Sequence, residues 1–207
     1  MKHPELLDRY LELVHEASVG VTSLDDPAAA RRVLVDDALS ALEVVLALAP
    51  VSMVDVGSGG GSPGIPLAIE TGVPVALLES RERKCDFLRA TLGELGVDGR
   101  VIQSRSEDAA RGVHRDAFDL VAARALAPPP VAVELCLPLA AVGGNVLLWT
   151  GEVNRVQLDT VARQLGGAVT CLTPVSEGRV LVTVAKREPT PERFPRKPGL
   201  AGKRPLA

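Results

Sequence analysis

Near the middle of the first half of the chain, the apolar run Val51-Ser52-Met53-Val54-Asp55-Val56 gives way to Gly57-Ser58-Gly59-Gly60-Gly61-Ser62-Pro63-Gly64. Five glycines in eight residues cost chain entropy, so their place between a strand and a helix argues for a use. Glycine permits a tight turn and lets backbone approach a ligand closely. A helix starting just after it directs free N–H groups into the same space. The loop therefore fits a nucleotide-type ligand at the carboxyl end of the first strand of an open α/β sheet.

The rest of the pattern agrees. Strands are expected at 51–56, 75–78, around 101–102, 118–123 and 145–149. Helices are expected at 63–71, 81–95 (with Gly96 as its stop), 128–139 and 152–165. Segments 168–172 and 180–185 are closing strands, and the turn-rich 173–178 between them predicts an antiparallel pair. This order calls for an α/β fold, a mostly parallel sheet with helices on both faces. Before the first strand, Leu6, Leu7, Tyr10, Leu11 and Val14 recur at helical spacing over 4–18. Asp25-Asp26-Pro27 then offers a cap for a second helix running to about Ala47. Three regions follow: an N-terminal helical extension (1–49), a ligand-binding domain (50–187) and a Pro-rich basic tail (188–207).

Charge separates the tail from the body. The net charge of −3 argues against a generally basic nucleic-acid binder, yet the stretch from Lys186 onward carries +5 and the preceding 185 residues −8. A cationic tail on an acidic body can contact phosphates locally, or it can be a solvated coil. Cys85, Cys136 and Cys171 are far apart and form no C-x-x-C pair, which argues against a disulfide framework or a zinc site. Cys136 and Cys171 sit among apolar residues and are expected in the core. No signal peptide or apolar span long enough for a membrane is seen, so a cytoplasmic protein with no membrane partner is expected.

Two cofactor classes compete for the loop. Gly59-x-Gly61-x-x-Gly64 with Glu79 about 20 residues on formally fits the dinucleotide fingerprint. Asp55, two positions before Gly57, instead resembles the E/D-x-G-x-G-x-G motif of class I methyltransferases. The helical extension before the loop and the closing strand pair also resemble that class, whose sheet has a reversed last strand. Glu79, ending the second strand, can accept ribose hydroxyls. Ser106 and Glu107 follow the third strand, where an adenine edge would be read, though a helix cap explains Ser106 equally well. Arg124 follows the fourth strand, at the rim where a methyl acceptor arrives. His3, His15 and His114 form no catalytic set. Attack on a sulfonium methyl needs alignment more than acid–base help.

A narrower resemblance follows. Asp55-Val56-Gly57-Ser58-Gly59-Gly60-Gly61-Ser62-Pro63-Gly64-Ile65-Pro66-Leu67-Ala68 closely resembles the D-V-G-S-G-A-G-F/L-P-G-I-P-L-A signature of the RsmG (GidB) family, bacterial small-subunit ribosomal-RNA guanine-N7 methyltransferases. Arg83-Lys84 through Phe87-Leu88-Arg89, Ala123-Arg124-Ala125-Leu126-Ala127-Pro128 and Phe194-Pro195-Arg196-Lys197-Pro198-Gly199 resemble further family segments. The resemblance implies a class I, Rossmann-like methyltransferase fold with S-adenosyl-L-methionine as cofactor. It implies cofactor contacts at Asp55, Gly57, Gly59, Gly61, Ser62, Glu79, Ser106, Glu107 and Arg124, with Arg124 also catalytic and no metal. It implies RNA contacts at Arg179, Arg196, Lys197, Lys203 and Arg204, with 16S rRNA in an assembled or assembling 30S particle as partner of a monomeric enzyme. The chain departs from the family pattern at Ser62, usually large and apolar, at Asp36-Asp37, usually Arg-His, and at Thr150, usually Lys. Those departures leave room for another acceptor, or for a protein that binds adenosylmethionine without catalysis.

Overall fold

Proline in the first turn of helix α1 (Pro4–Glu16) sets the entry to the first element, and its apolar stripe buries Leu7, Tyr10 and Val14. The structure, a computed structural model, describes residues 1–17, 20, 24, 26–176 and 178–206, so Ser18 and Asp25 of the expected helix and cap lie outside it. It divides into two compact units, Met1–Gln103 and Ser104–Ala207.

In the first unit the Asp26 carboxylate accepts the Ala28 and Ala29 N–H groups and caps α2 (Pro27–Arg31). The single helix expected to reach Ala47 does not form. A π-helical turn (Arg32–Asp36) leads into α3 (Asp37–Leu39), and a break at Ser40-Ala41 precedes α4 (Leu42–Leu48). The Ser40 hydroxyl donates to the Asp37 carbonyl at 2.6 Å, and such back-bonding competes with the helical ladder. Then come β1 (Met53–Val56), α5 (Gly64–Thr71), β2 (Val75–Glu79), α6 (Glu82–Leu95) and β3 (Gly99–Gln103). Gly96, at φ 62°, ends α6 as expected. β2 pairs in parallel with both β1 and β3. Both β1 and β2 are buried throughout, as continuous apolar runs in a parallel sheet should be.

The second unit contains α7 (Ser106–Ala109), β4 (Phe118–Arg124), α8 (Pro129–Cys136), β5 (Ala140–Thr150), α9 (Arg155–Gln164), β6 (Gly167–Ser176), β7 (Arg179–Lys186) and α10 (Leu200–Lys203). β4 runs parallel to β5, and β7 lies antiparallel between β5 and β6. The expected closing pair is therefore present, and the seven strands form the mostly parallel α/β set with a reversed last strand. Cys136 is buried, but Cys171 is exposed on β6 and is not a core residue. Apolar neighbours in sequence misled here, because alternate residues of a strand point to opposite faces.

The tail packs on this unit rather than hanging in solvent. The Lys186 ammonium, fully buried at the end of β7, donates to Asp116 Oδ1 at 2.7 Å, to the Leu137 carbonyl at 2.9 Å and to Thr190 Oγ1. Burial pushes this ammonium below the ordinary lysine range, and the pull of Asp116 only partly opposes it. The Arg115 guanidinium donates to the carbonyls of Thr190, Pro191 and Phe194, and Arg111 to that of Pro195. Among the described residues no helix is long and apolar enough to cross a membrane.

Candidate functional site

In the first unit β1 ends in a loop whose first two amides, Gly57 and Ser58, both donate to the Leu78 carbonyl of β2, at 2.8 and 3.2 Å. The chain then turns through Gly59 and Gly61 with positive φ and enters α5. Two glycines there are enforced. A Cβ on Gly61, at φ 98°, would lie 2.5 Å from Ile65 Cδ1. One on Gly64 would lie 2.8 Å from both Asp55 Cβ and Leu77 Cδ2, so α5 can rest on the sheet only without it. Asp55 is buried, and its Oδ2 accepts the Gly64 N–H at 3.1 Å. A carboxylate at a helix N-terminus is favourable, so Asp55 locks the loop onto α5.

Glu79, at the end of β2, is 8% exposed. Its Oε2 accepts the Gly59 N–H at 3.1 Å, and its Oε1 accepts the amides of Ser80 at 2.8 Å and Arg81 at 2.9 Å. The Ser80 hydroxyl also donates to Oε1, at 3.5 Å, whereas Oε2 takes only the Gly59 N–H, so the rotamer is fixed and Oε2 keeps acceptor capacity for a ligand hydroxyl. The N-terminal helices hold the other side of the loop. The buried Tyr10 hydroxyl donates to the Gly60 carbonyl at 3.0 Å, and the Ser62 hydroxyl donates to the Leu34 carbonyl at 2.7 Å. Asp55, Gly57, Gly59, Gly61, Ser62 and Glu79 are thus gathered in one hydrogen-bonded assembly.

In the second unit Ser106 is the first residue of α7 and not its cap; its hydroxyl donates to Glu107 Oε2 at 3.3 Å. Glu107 is buried, and its Oε1 accepts the Gly199 N–H of the tail at 2.8 Å. Burial pushes the Glu107 carboxyl up, but the Gly199 N–H, its own N–H and Arg105 outweigh it and hold it below the usual range. Arg124 ends β4 half-buried, and the next residue, Ala125, sits in the left-handed region at φ 52°. Arg179 opens β7 half-buried. Arg196 is committed to the buried Glu134, with Nε–Oε1 at 2.7 Å and Nη2–Oε2 at 2.6 Å. Lys197, Lys203 and Arg204 are exposed. No cluster of potential metal ligands occurs among the described residues.

Sequence reasoning gave neither the Tyr10 hydroxyl nor Glu134 a role. Signals existed for both. A tyrosine on the buried face of a helix needs a partner for its hydroxyl, and a lone carboxylate inside the apolar run Val131–Cys136 must be paired.

The family described as GidB, rRNA small subunit methyltransferase G, matches residues 3–169. The ribosomal RNA small subunit methyltransferase G of Pelotomaculum thermopropionicum is 39% identical over 181 residues, covering 82% of this chain and 76% of its own. The protein of the same name from Moorella thermoacetica is 36% identical, covering 95% of this chain and 86% of its own. Among solved structures, a SAM-dependent methyltransferase from Aquifex aeolicus is similar at TM-score 0.59 and 17% identity, over 79% of this chain and 95% of its own, a likeness of fold.

Proposed function

Because the chain belongs to the GidB family of rRNA small subunit methyltransferase G, we propose that it is an S-adenosylmethionine-dependent methyltransferase that methylates N7 of a guanine in 16S ribosomal RNA. The observation that carries the cofactor assignment is Glu79. This buried carboxylate is held by three amides, one of them from the glycine loop, with acceptor capacity left for a ribose hydroxyl.

In this reading Gly57, Gly59 and Gly61 let the backbone approach the cofactor, and Asp55 keeps the loop in that shape. The Ser62 hydroxyl donates its proton to Leu34, so any contact from Ser62 is through its backbone or through that oxygen as an acceptor. Ser106, Glu107 and Arg124 keep the cofactor roles that the family resemblance implies. Bound there, S-adenosylmethionine supplies an electrophilic methyl on a sulfonium. Guanine N7 carries a free lone pair, so no side chain must remove a proton before attack. The work left to Arg124 is to hold the splayed base or its phosphate in line. Arg179, Lys197, Lys203 and Arg204 supply RNA phosphate contacts, while the Arg196 guanidinium serves the fold first. The helical extension 1–49 supports the loop, 50–187 is the catalytic domain, and 188–207 the basic tail. The reading includes a monomer acting in the cytoplasm on the 30S particle or its precursor.

The test is incubation with labelled S-adenosylmethionine and undermethylated 30S subunits, followed by mapping of the label. Label at N7 of one guanine of 16S rRNA is expected. Label in no RNA, with the cofactor bound, would overturn the substrate assignment.

A further inference from the structure

We propose that the tail from Thr190 to Lys203 is a positioning strap whose fastening to Glu107 and Glu134 sets the affinity for S-adenosylmethionine, with Gly199 and Arg196 as positioning residues. The inference rests on the functional reading above and goes beyond the phosphate-gripping role given to the tail's exposed cations.

The strap is fastened at three places, all within the second unit. Gly199, at φ 77°, directs its N–H to the Glu107 carboxylate on α7. Arg196 forms a bidentate, charge-assisted pair with the buried Glu134 on α8, and its backbone N–H reaches the same carboxylate at 3.3 Å. Ala201 of α10 packs against Val131 and Leu135 of α8, with Leu126 and Ala127 against the same cluster. Leu126 and Ala127 belong to the turn immediately after Arg124 and Ala125. Thr190 and Phe194 are buried along the way. A segment whose work was only to meet phosphates would not spend its arginine and its backbone amides on buried carboxylates.

The elements it holds cannot hold themselves. α7 is four residues long, far below the length at which a helix is stable alone. Ala125 keeps a left-handed backbone, which persists only where the surroundings over-determine it. These are the two places in this unit where cofactor contacts are proposed, at Ser106-Glu107 and at Arg124. The strap fixes the first through the Glu107 side chain and the second through the apolar seat of the following turn.

Gly199→Pro in the full-length protein tests this. Proline lacks the N–H and cannot adopt φ 77°. Binding of S-adenosylhomocysteine is measured by titration calorimetry, release of the strap by tryptic cleavage after the exposed Arg193, and folding by circular dichroism. We expect faster cleavage and cofactor-product binding weakened by about tenfold or more. KM for S-adenosylmethionine should rise by a larger factor than kcat falls. Gly199→Asn keeps the N–H, tolerates the left-handed backbone better than other side chains and has no atom within 4 Å of its Cβ, so it should recover most of the affinity. Should Gly199→Pro not fold, the paired change Arg196→Leu with Glu134→Leu releases the strap without stranding a charge and is read in the same way. A folded, strap-released variant that binds S-adenosylhomocysteine like the parent overturns the strap alone. Failure of the parent itself to bind overturns the functional reading and the strap with it.

Discussion

Replacing Tyr10 with Phe removes one oxygen and leaves the ring in place, so it removes the bond between the N-terminal helix and the glycine loop. Tyr10 is fully buried, and its hydroxyl donates to the Gly60 carbonyl at 3.0 Å. Stranding a buried acceptor costs ~1–3 kcal/mol. For a chain of this size each kcal/mol lowers the melting temperature by about 2–4 °C, so a drop of about 4–8 °C is the central expectation. The loop must then find another partner for Gly60, and any rearranged state competes with the one that accepts the cofactor. If about 1.4 kcal/mol of preference is lost, up to tenfold of the affinity for S-adenosylhomocysteine goes with it. Thermal unfolding by circular dichroism and titration calorimetry read the two effects separately. A variant matching the parent in both would refute the claim that the N-terminal helix holds the loop.

Gly64→Ala forces a Cβ to within 2.8 Å of Asp55 and Leu77, so a loss of ~1–3 kcal/mol of stability is expected in denaturant unfolding, with no gain in cofactor affinity. Glu79→Ala deprives the Gly59, Ser80 and Arg81 amides of their acceptor and should weaken S-adenosylhomocysteine binding by at least about tenfold while the fold survives by circular dichroism. Because the folded Glu107 carboxyl titrates below its ordinary value of 4.5, the stability it contributes is complete above that pH and is lost as pH falls through the lower folded value. Glu107→Gln should therefore flatten the acid limb of a stability-against-pH curve, and an unchanged limb would count against it. Changing Lys197, Lys203 and Arg204 together to Gln should reduce the salt slope of rRNA binding by about 2–3, because each phosphate contact contributes ~0.7–0.9 to it. The affinity for S-adenosylhomocysteine is expected to hold.

What the sequence made legible was what periodicity and glycine encode. The order of strands and helices, the antiparallel closing pair and the Gly96 stop all follow from local pattern, and each is present. The long helix expected from Pro27 to Ala47 failed because a helical stripe of apolar residues also suits a chain that is broken and re-started. The π-helical turn and the Ser40 side-chain bond change the register without changing which residues are apolar. Cys171 failed for a related reason: composition around a residue does not say which face of a strand it occupies.

The candidate site divides along the same line. The residues of the loop lie together in the structure, since glycines, Asp55 and Glu79 are joined through backbone geometry that spacing fixes. What spacing could not supply was the partner of each polar side chain. Ser62, which breaks the family pattern, is held by Leu34, twenty-eight residues earlier in the chain. Arg196, counted with the tail's cations as an RNA ligand, meets a carboxylate sixty-two residues away. Glu107 meets an amide ninety-two residues away. Net charge treats Arg196 and Lys197 alike, but only one of them faces a buried carboxylate. The desolvation of Glu134 makes that pairing obligatory, because a buried charge left alone is far costlier than a surface cation left in water. The tail's positive charge therefore overstates what it can offer to RNA. Of its cations, those left exposed, such as Lys197, Lys203 and Arg204, are the ones an RNA phosphate can reach without dismantling the fold.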